Sequence, residues 1–357
     1  MKKLPDKPLV IPIFTPHLGC PHKCSFCNQS IITNEKSFLP DSEKIRKEVD
    51  NYLKFKGKRD KVQLAFFGGT FLGLDETYRK TLLDTAENLV QENKIHSIRF
   101  STRPDTITKK NLDSLKNYSV TTIELGVQSM NDHVLSYANR GHSAEDTKNA
   151  AFLLREYGFE TGMQMMAGLP DDTDETAIET AEQITLLCPD FVRIYPLIIL
   201  KGSLVHKWYE QGKYKPLSLS HCVTLVKKIY LIFRKQNIPV IRMGLQASEL
   251  LQDKDSMVAG PWHPAFGHLV FSEIFFDKVL DSLETASVNP GEEVILQVNP
   301  RFESRLRGNR NQNIKKLAAL YPEVKFTIKS DISFNSDQLQ VTRFSKKPLL
   351  NNLRIRS

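Results

Sequence analysis

Gly19-Cys20-Pro21-His22-Lys23-Cys24-Ser25-Phe26-Cys27-Asn28 sets three cysteines within eight residues, at the spacing C-x3-C-x2-C. The other two cysteines of the 357-residue chain, Cys188 and Cys222, stand alone. An odd total with one tight cluster is not a disulfide framework; it points to a reducing compartment and a metal role. Three thiolates can bind three irons of a [4Fe–4S] cube and leave the fourth iron open. An open iron accepts a small molecule that chelates through amino and carboxylate groups. A structural zinc site wants four protein ligands, usually from two separated pairs, and His22 lies between two of the cysteines. Phe26 either shields the cluster from water or simply packs the loop. Cys188, beside Leu186 and Leu187, and Cys222, opening a helical run, read as packed thiols.

The cysteine loop follows a β-rich run, Leu9–Phe14, and similar runs recur along the chain. They are Val62–Phe67, Ser97–Ser101, Thr121–Val127, Glu160–Met166, Phe191–Tyr195 and Pro239–Met243. Helical stretches lie between them, among them Ser42–Phe55, Asp75–Glu92, Ala144–Tyr157 and Cys222–Gln236. Several runs are apolar on consecutive positions, as parallel strands covered by helices require. Such alternation predicts an α/β fold, either a doubly wound sheet or a (β/α) barrel. The chemistry-bearing residues fall at or just after strand ends, where barrel active sites sit, and this favours the barrel. We expect a partial (β/α)6-type barrel with its extension at 1–286 and a small α+β module at 287–357. The boundary is Ser287-Val288-Asn289-Pro290-Gly291. The module reads as strand Val294–Val298, helix Phe302–Leu306, turn Gly308–Asn311, helix Ile314–Leu320 and strand Val324–Ile328.

The formal net charge is +8, and 13 Lys and Arg against 6 Asp and Glu after residue 290 place most of it in that module. A basic module suggests a polyanionic partner; a solvated basic tail is the plainer reading. The N-terminus has no apolar run of signal-peptide length, and no stretch approaches the roughly 20 apolar residues of a membrane span. The expectation is a cytoplasmic protein with no membrane partner.

Further motifs follow the later strands. Phe66-Phe67-Gly68-Gly69-Thr70-Phe71 has paired glycines that let a backbone approach a ligand. Ser101-Thr102-Arg103-Pro104-Asp105 ends the third strand, and Glu124-Leu125-Gly126-Val127-Gln128-Ser129 the fourth. Asn139-Arg140-Gly141-His142 comes one helix later, and Gly168-Leu169-Pro170 follows the fifth strand. With the cysteine loop before them, these motifs resemble the radical S-adenosylmethionine (SAM) superfamily. The resemblance implies a [4Fe–4S] cluster on Cys20, Cys24 and Cys27. It also implies that Gly68, Gly69 and Thr70 meet the SAM amino group, and that Gln128 and Arg140 contact SAM. The guanidinium fork of Arg140 suits the SAM carboxylate. Ser101 stands where relatives often carry a ribose-binding glutamate, and its hydroxyl can still make one hydrogen bond. Gly168-Leu169-Pro170 resembles the family's turn near the adenine. A donor such as ferredoxin or flavodoxin would reduce the cluster. SAM would then split into methionine and a 5′-deoxyadenosyl radical, chemistry that belongs to the cofactor.

The run Ile123–Pro170, with Thr102–Asp105, looks most like the radical SAM domain of the Elongator catalytic subunit family, over about Pro8 to Leu245. That family acts on the wobble uridine of transfer RNA and carries an acetyltransferase-like domain. No acetyl-CoA-type glycine-rich loop is found after Leu245, and Ser30–Pro40 is too short for the family's cysteine-containing insert. The terminal module resembles a KH domain instead, whose G-x-x-G loop clamps a nucleic-acid backbone. Asn311 replaces the second glycine, and asparagine tolerates left-handed backbone. Arg307, Gly308, Arg310, Lys315 and Lys316 are the RNA-binding candidates, with Arg305 nearby; a small cap on the barrel is the alternative. Trp262 suits stacking on a base or interdomain packing. Three functions remain open. One is a radical SAM enzyme acting on RNA, one such an enzyme acting on a metabolite such as a tetrapyrrole. The third is a nucleic-acid-binding protein with a structural cluster, which lacks the expected fourth cysteine.

Overall fold

The computed structural model describes residues 8–15, 19–28, 40–245, 256–334 and 338–344. Residues 29–39, most of the segment read as too short for the family's cysteine-containing insert, and the basic end after residue 344 lie outside them. The chain divides into two compact units, Met1–Pro264 and Ala265–Ser357.

The first unit is built on seven strands: β1 Leu9–Thr15, β2 Val62–Gly68, β3 Ser97–Thr102, β4 Val120–Gln128, β5 Glu160–Ala167, β6 Phe191–Pro196 and β8 Val240–Met243. All are parallel, and they curl as a half-barrel in the order β1-β2-β3-β4-β5-β6-β8. All seven predicted strands are present. A two-stranded ribbon, β7 Ile199–Leu200 with β9 Met257–Ala259, was not predicted. The helices are α1 Ser42–Leu53, α2 Glu76–Gln91, α3 Lys109–Asp113, α4 Asp132–Tyr137, α5 Ala144–Glu156, α6 Asp174–Leu186, α7 Leu204–Glu210 and α8 Leu219–Lys235.

Local chemistry sets many of these boundaries. Asp41 caps α1 and Asp75 caps α2, each accepting backbone N–H groups of the first turn. Ser143 and Asp146 form a reciprocal capping box on α5. Ser218 is the N-cap of α8, so that helix begins at Leu219, earlier than the expected Cys222. The first five residues of β2 are all buried, as a strand covered on both faces must be. No helix among the described residues is long and apolar enough to cross a membrane.

The second unit comprises α9 Phe266–Thr285, β10 Glu293–Val298, α10 Glu303–Arg307, α11 Gln312–Leu320, β11 Lys325–Ser330 and β12 Leu339–Phe344. Its sheet has the order β11-β10-β12, with β11 parallel and β12 antiparallel to β10. Val294, Leu296 and Val298 of β10 pack on Phe275, Phe276, Val279 and Leu283 of α9. This shared core places α9 in the second unit and moves the division from 286/287 to 264/265. Strand β12 went unpredicted because its apolar residues, Leu339 and Val341, are only half-buried.

Candidate active site

The cysteine loop lies on the turn after β2. Gly19 has φ +89°, and a Cβ there would stand 2.6 Å from both the Thr70 carbonyl oxygen and Gly73 C. A Cβ on Gly73 would stand 2.1 Å from the Gly19 carbonyl oxygen. Only a glycine pair lets the two backbones meet this closely. Sequence reading quoted Gly19 without a role and passed over Gly73, since neither belongs to the chemical motifs. Beside this contact, Cys20 Sγ lies 3.1 Å from Thr70 Oγ1.

Two helices hold the next part of the loop. Ser25 N donates to the Ala138 carbonyl at the end of α4, and the Ser25 carbonyl accepts from Val205 N in α7, both at 2.9 Å. Phe26 packs against a buried cluster that includes Val134, Ala138, Leu169, Leu197 and Val205. Cys24 is buried, while Cys20 and Cys27 are half-buried. Arg140 Nη1 donates to Cys24 Sγ at 3.3 Å, and Nη2 donates to the Gly126 carbonyl. Among the described residues, no three His, Cys, Asp or Glu side chains converge to hold a single metal ion. A cube sets its thiolates on separate irons and needs no such convergence.

Strand β4 ends in a bulge between Gly126 and Gln128, and Gln128 sits at φ +69°. Left-handed backbone at a residue of this type costs about 1–3 kcal/mol and is retained chiefly where a side chain must be aimed. Gln128 Oε1 and Arg140 Nε are buried and have no hydrogen-bond partner among the described residues. A Cβ on Gly126 would come within 3.1 Å of Gln128 Nε2 and 3.2 Å of Arg140 Nη2. The bare glycine therefore floors a narrow cradle with one unpaired donor and one unpaired acceptor. That set fits a ligand carrying both an amino and a carboxylate group, such as SAM.

Ser101 is half-buried on β3 and accepts from Gln164 Nε2 at 3.2 Å. Gln164 also donates to Glu124 Oε2 at 2.9 Å. Sequence reading missed Gln164; its signal was its place four residues before Gly168, on the strand ending at the Gly-Leu-Pro turn. Gly68, at φ +107°, lies against the end of β1, where a Cβ would stand 2.8 Å from the Thr15 carbonyl oxygen, and Thr70 carries the contact to Cys20. His142 Nε2 lies 3.2 Å from the Val127 carbonyl. Burial, with the Arg140 and Arg103 charges beside it, pushes His142 down to about 3, so it stays neutral near pH 7.

Cys222 is a buried thiol, pushed up to about 12 by burial. Cys188 differs from the expectation. It is exposed, at φ +50° just beyond α6, because the helix ends before its side chain can turn inward.

In the second unit the candidate loop joins α10 to α11. Gly308, Arg310 and Asn311 have φ +71°, +52° and +61°. Arg307 pairs with Glu303 and Lys316 with Glu273, at 2.8 and 2.9 Å. Arg305 lies over the Phe271 and Phe302 rings, at 4.0 and 4.8 Å. Arg310 and Lys315 are exposed and outside any ion pair among the described residues.

Comparison with known proteins supplies the family. The radical SAM superfamily profile matches residues 14–184, and that of the radical SAM C-terminal domain matches residues 189–275. The chain is 28% identical over 240 residues to a tRNA uridine(34) acetyltransferase of Dehalococcoides mccartyi, covering 58% of this chain and 52% of that protein. It is 31% identical over 237 residues to an uncharacterized protein of Methanocaldococcus jannaschii, covering 63% of this chain and 72% of the relative. The solved structure of the archaeal Methanocaldococcus infernus Elp3 with an N-terminal deletion shares the fold. The TM-score is 0.59 at 22% identity, over 79% of this chain and 63% of that one. The chain spans about half the length of the curated acetyltransferases it matches. A cysteine loop seated on a parallel half-barrel, together with these matches, places the chain in the radical SAM superfamily, as a radical SAM enzyme.

Proposed function

We propose that this enzyme cleaves SAM reductively at a [4Fe–4S] cluster held by Cys20, Cys24 and Cys27, and acts on a transfer-RNA nucleoside. When bound, the cluster and SAM together supply a 5′-deoxyadenosyl radical that abstracts hydrogen from an unreactive C–H bond. The residues of the chain bind, orient and exclude. Arg140 and Gln128 hold the amino-acid end of SAM through the two buried atoms that lack partners among the described residues, Nε and Oε1. This pair above Gly126, next to Cys24, is the observation that carries the reading. Ser101 and Gln164 share a hydrogen bond at the position proposed for the ribose, and Gln164 supplies polar capacity that a lone serine lacks. Phe26 keeps water from the loop through its apolar packing. Electrons come from a one-electron donor such as ferredoxin or flavodoxin.

The transfer-RNA reading is supported by the acetyltransferase relatives and by the second unit. There, β10-α10-α11-β11 follows the strand–helix–helix–strand order of a KH domain, with Arg310 and Lys315 exposed at its turn.

The decisive experiment is anaerobic. The cluster is reconstituted, dithionite and SAM are added, and 5′-deoxyadenosine is measured with and without bulk transfer RNA. Formation stimulated by transfer RNA is expected. Formation indifferent to RNA would redirect the search to small metabolites. No formation from an intact, reducible cluster would overturn the radical reading.

A further inference from the structure

From β3 to β8 the half-barrel carries a charge arrangement outside the residues proposed to hold SAM. Glu124 is fully buried, and its carboxylate is shared by two guanidinium groups: Arg99 at 2.6 Å and Arg193 at 2.8 Å. One carboxylate therefore faces two cations. A third cation stands beside them. Arg193 and Arg242 are register partners on adjacent parallel strands, so their side chains leave the same face of the sheet. Arg242 is half-buried and has no hydrogen bond or ion pair among the described residues. Tyr195 follows Arg193 by two residues on the same face, within electrostatic reach of both arginines. Burial nonetheless keeps its pKa above the ordinary value, so the phenol remains a hydrogen-bond donor.

Two neighbouring guanidinium groups, half-removed from water, repel each other unless an anion lies between them. The nearby carboxylate is already committed to Arg99 and Gln164 as well as to Arg193. We propose that Arg193, Arg242 and the Tyr195 hydroxyl bind a phosphate group of the substrate nucleotide at the open end of the half-barrel. Glu124 fixes the Arg193 fork in advance, which lowers the ordering cost of binding. One arginine fork satisfies the two oxygens of a carboxylate. Glu124 takes the Nε and Nη2 edge of Arg193, so the Arg242 fork, the remaining Nη1 of Arg193 and a hydroxyl together suit the larger oxygen set of a phosphate. The strands concerned lie at the end of the sheet opposite β1, after which the cysteine loop comes, so cofactor and substrate would approach from different strands. This inference rests on the nucleotide reading given above, and its test separates the two.

Affinities of the full-length, cluster-reconstituted protein for uridine 5′-monophosphate and for uridine are measured by calorimetry, with inorganic phosphate and acetate as competitors. Wild type is expected to bind the monophosphate at least tenfold more tightly than uridine. R242Q should remove that preference while cluster absorbance and thermal midpoint stay unchanged. R242K, which keeps the charge but not the fork, should retain part of it. A preference that persists in both variants, or no preference in wild type, overturns the proposal. Acetate competing as well as phosphate also overturns it, in favour of a carboxylate site. A preference that R242Q removes, in an enzyme whose 5′-deoxyadenosine formation ignores transfer RNA, upholds the phosphate site and rejects the transfer-RNA reading instead.

Discussion

Gly19 shows how one missing side chain seats the cysteine loop. Its φ and its 2.6 Å clearance from the β2 turn both exclude a Cβ. Gly19→Ala should therefore lift the cysteine loop off Thr70 and cost about 1–3 kcal/mol in strain. The expected result is loss of the reconstituted cluster's visible absorbance while far-ultraviolet circular dichroism is retained. Gln128 is the opposite case, a side chain held in left-handed backbone where glycine would be easier, with its Oε1 buried and without a partner among the described residues. Asp172, after the Gly-Leu-Pro turn, is raised to about 6 by burial, despite hydrogen bonds from Thr176 and backbone N–H groups. A raised folded-state pKa favours the protonated form. The stabilisation is complete below the ordinary value of 3.8 and is lost as pH rises through about 6. Asp172→Asn lacks this titration. Its thermal midpoint should gain on wild type between pH 4 and 6.5, by roughly 5–10 °C, and hold that gain above. A constant offset across this range would show that Asp172 titrates normally.

At the level of elements, the barrel strands are joined by more than their ladders. Glu124 on β4 reaches Arg99 on β3, Gln164 on β5 and Arg193 on β6. The side chains of Arg99 and Arg193 are only 6% and 13% exposed, so water is a poor substitute for the carboxylate. Glu124→Leu leaves two buried cations uncompensated and should cost about 3–5 kcal/mol, read by chemical denaturation. A loss below about 1 kcal/mol would mean that the cluster is solvated. The clamp of α4 and α7 on Ser25 works by the same logic. Short helices, weak on their own, gain their place from tertiary hydrogen bonds to the cysteine loop.

Across the whole molecule, two cores divide the work. The first unit carries the cysteine loop and the cradle, and the second carries the exposed basic turn. Arg310→Ala with Lys315→Ala should weaken transfer-RNA binding and reduce its log–log salt slope by about 2, one for each phosphate that is no longer neutralised. Unchanged binding would remove the second unit from RNA recognition. The cysteine loop, the seven parallel strands and the cradle residues Gln128 and Arg140 were legible in the chain. Each is announced by local spacing or by an apolar run, signals that survive without knowledge of neighbours. The βααβ order of the second unit was legible for the same reason. Other features depend on residues distant in sequence. The seating of Gly19 on Gly73, the role of Gln164 beside Ser101, the sharing of Glu124 and the placing of α9 with β10 all join segments whose separation hides their meaning. So does the pairing of Arg193 with Arg242, which are 49 positions apart in the numbering and become neighbours through strand register. Periodicity and motif spacing record how a segment will fold; which segments then share a face is decided by packing, and packing set Arg242 beside Arg193 on one face of the sheet.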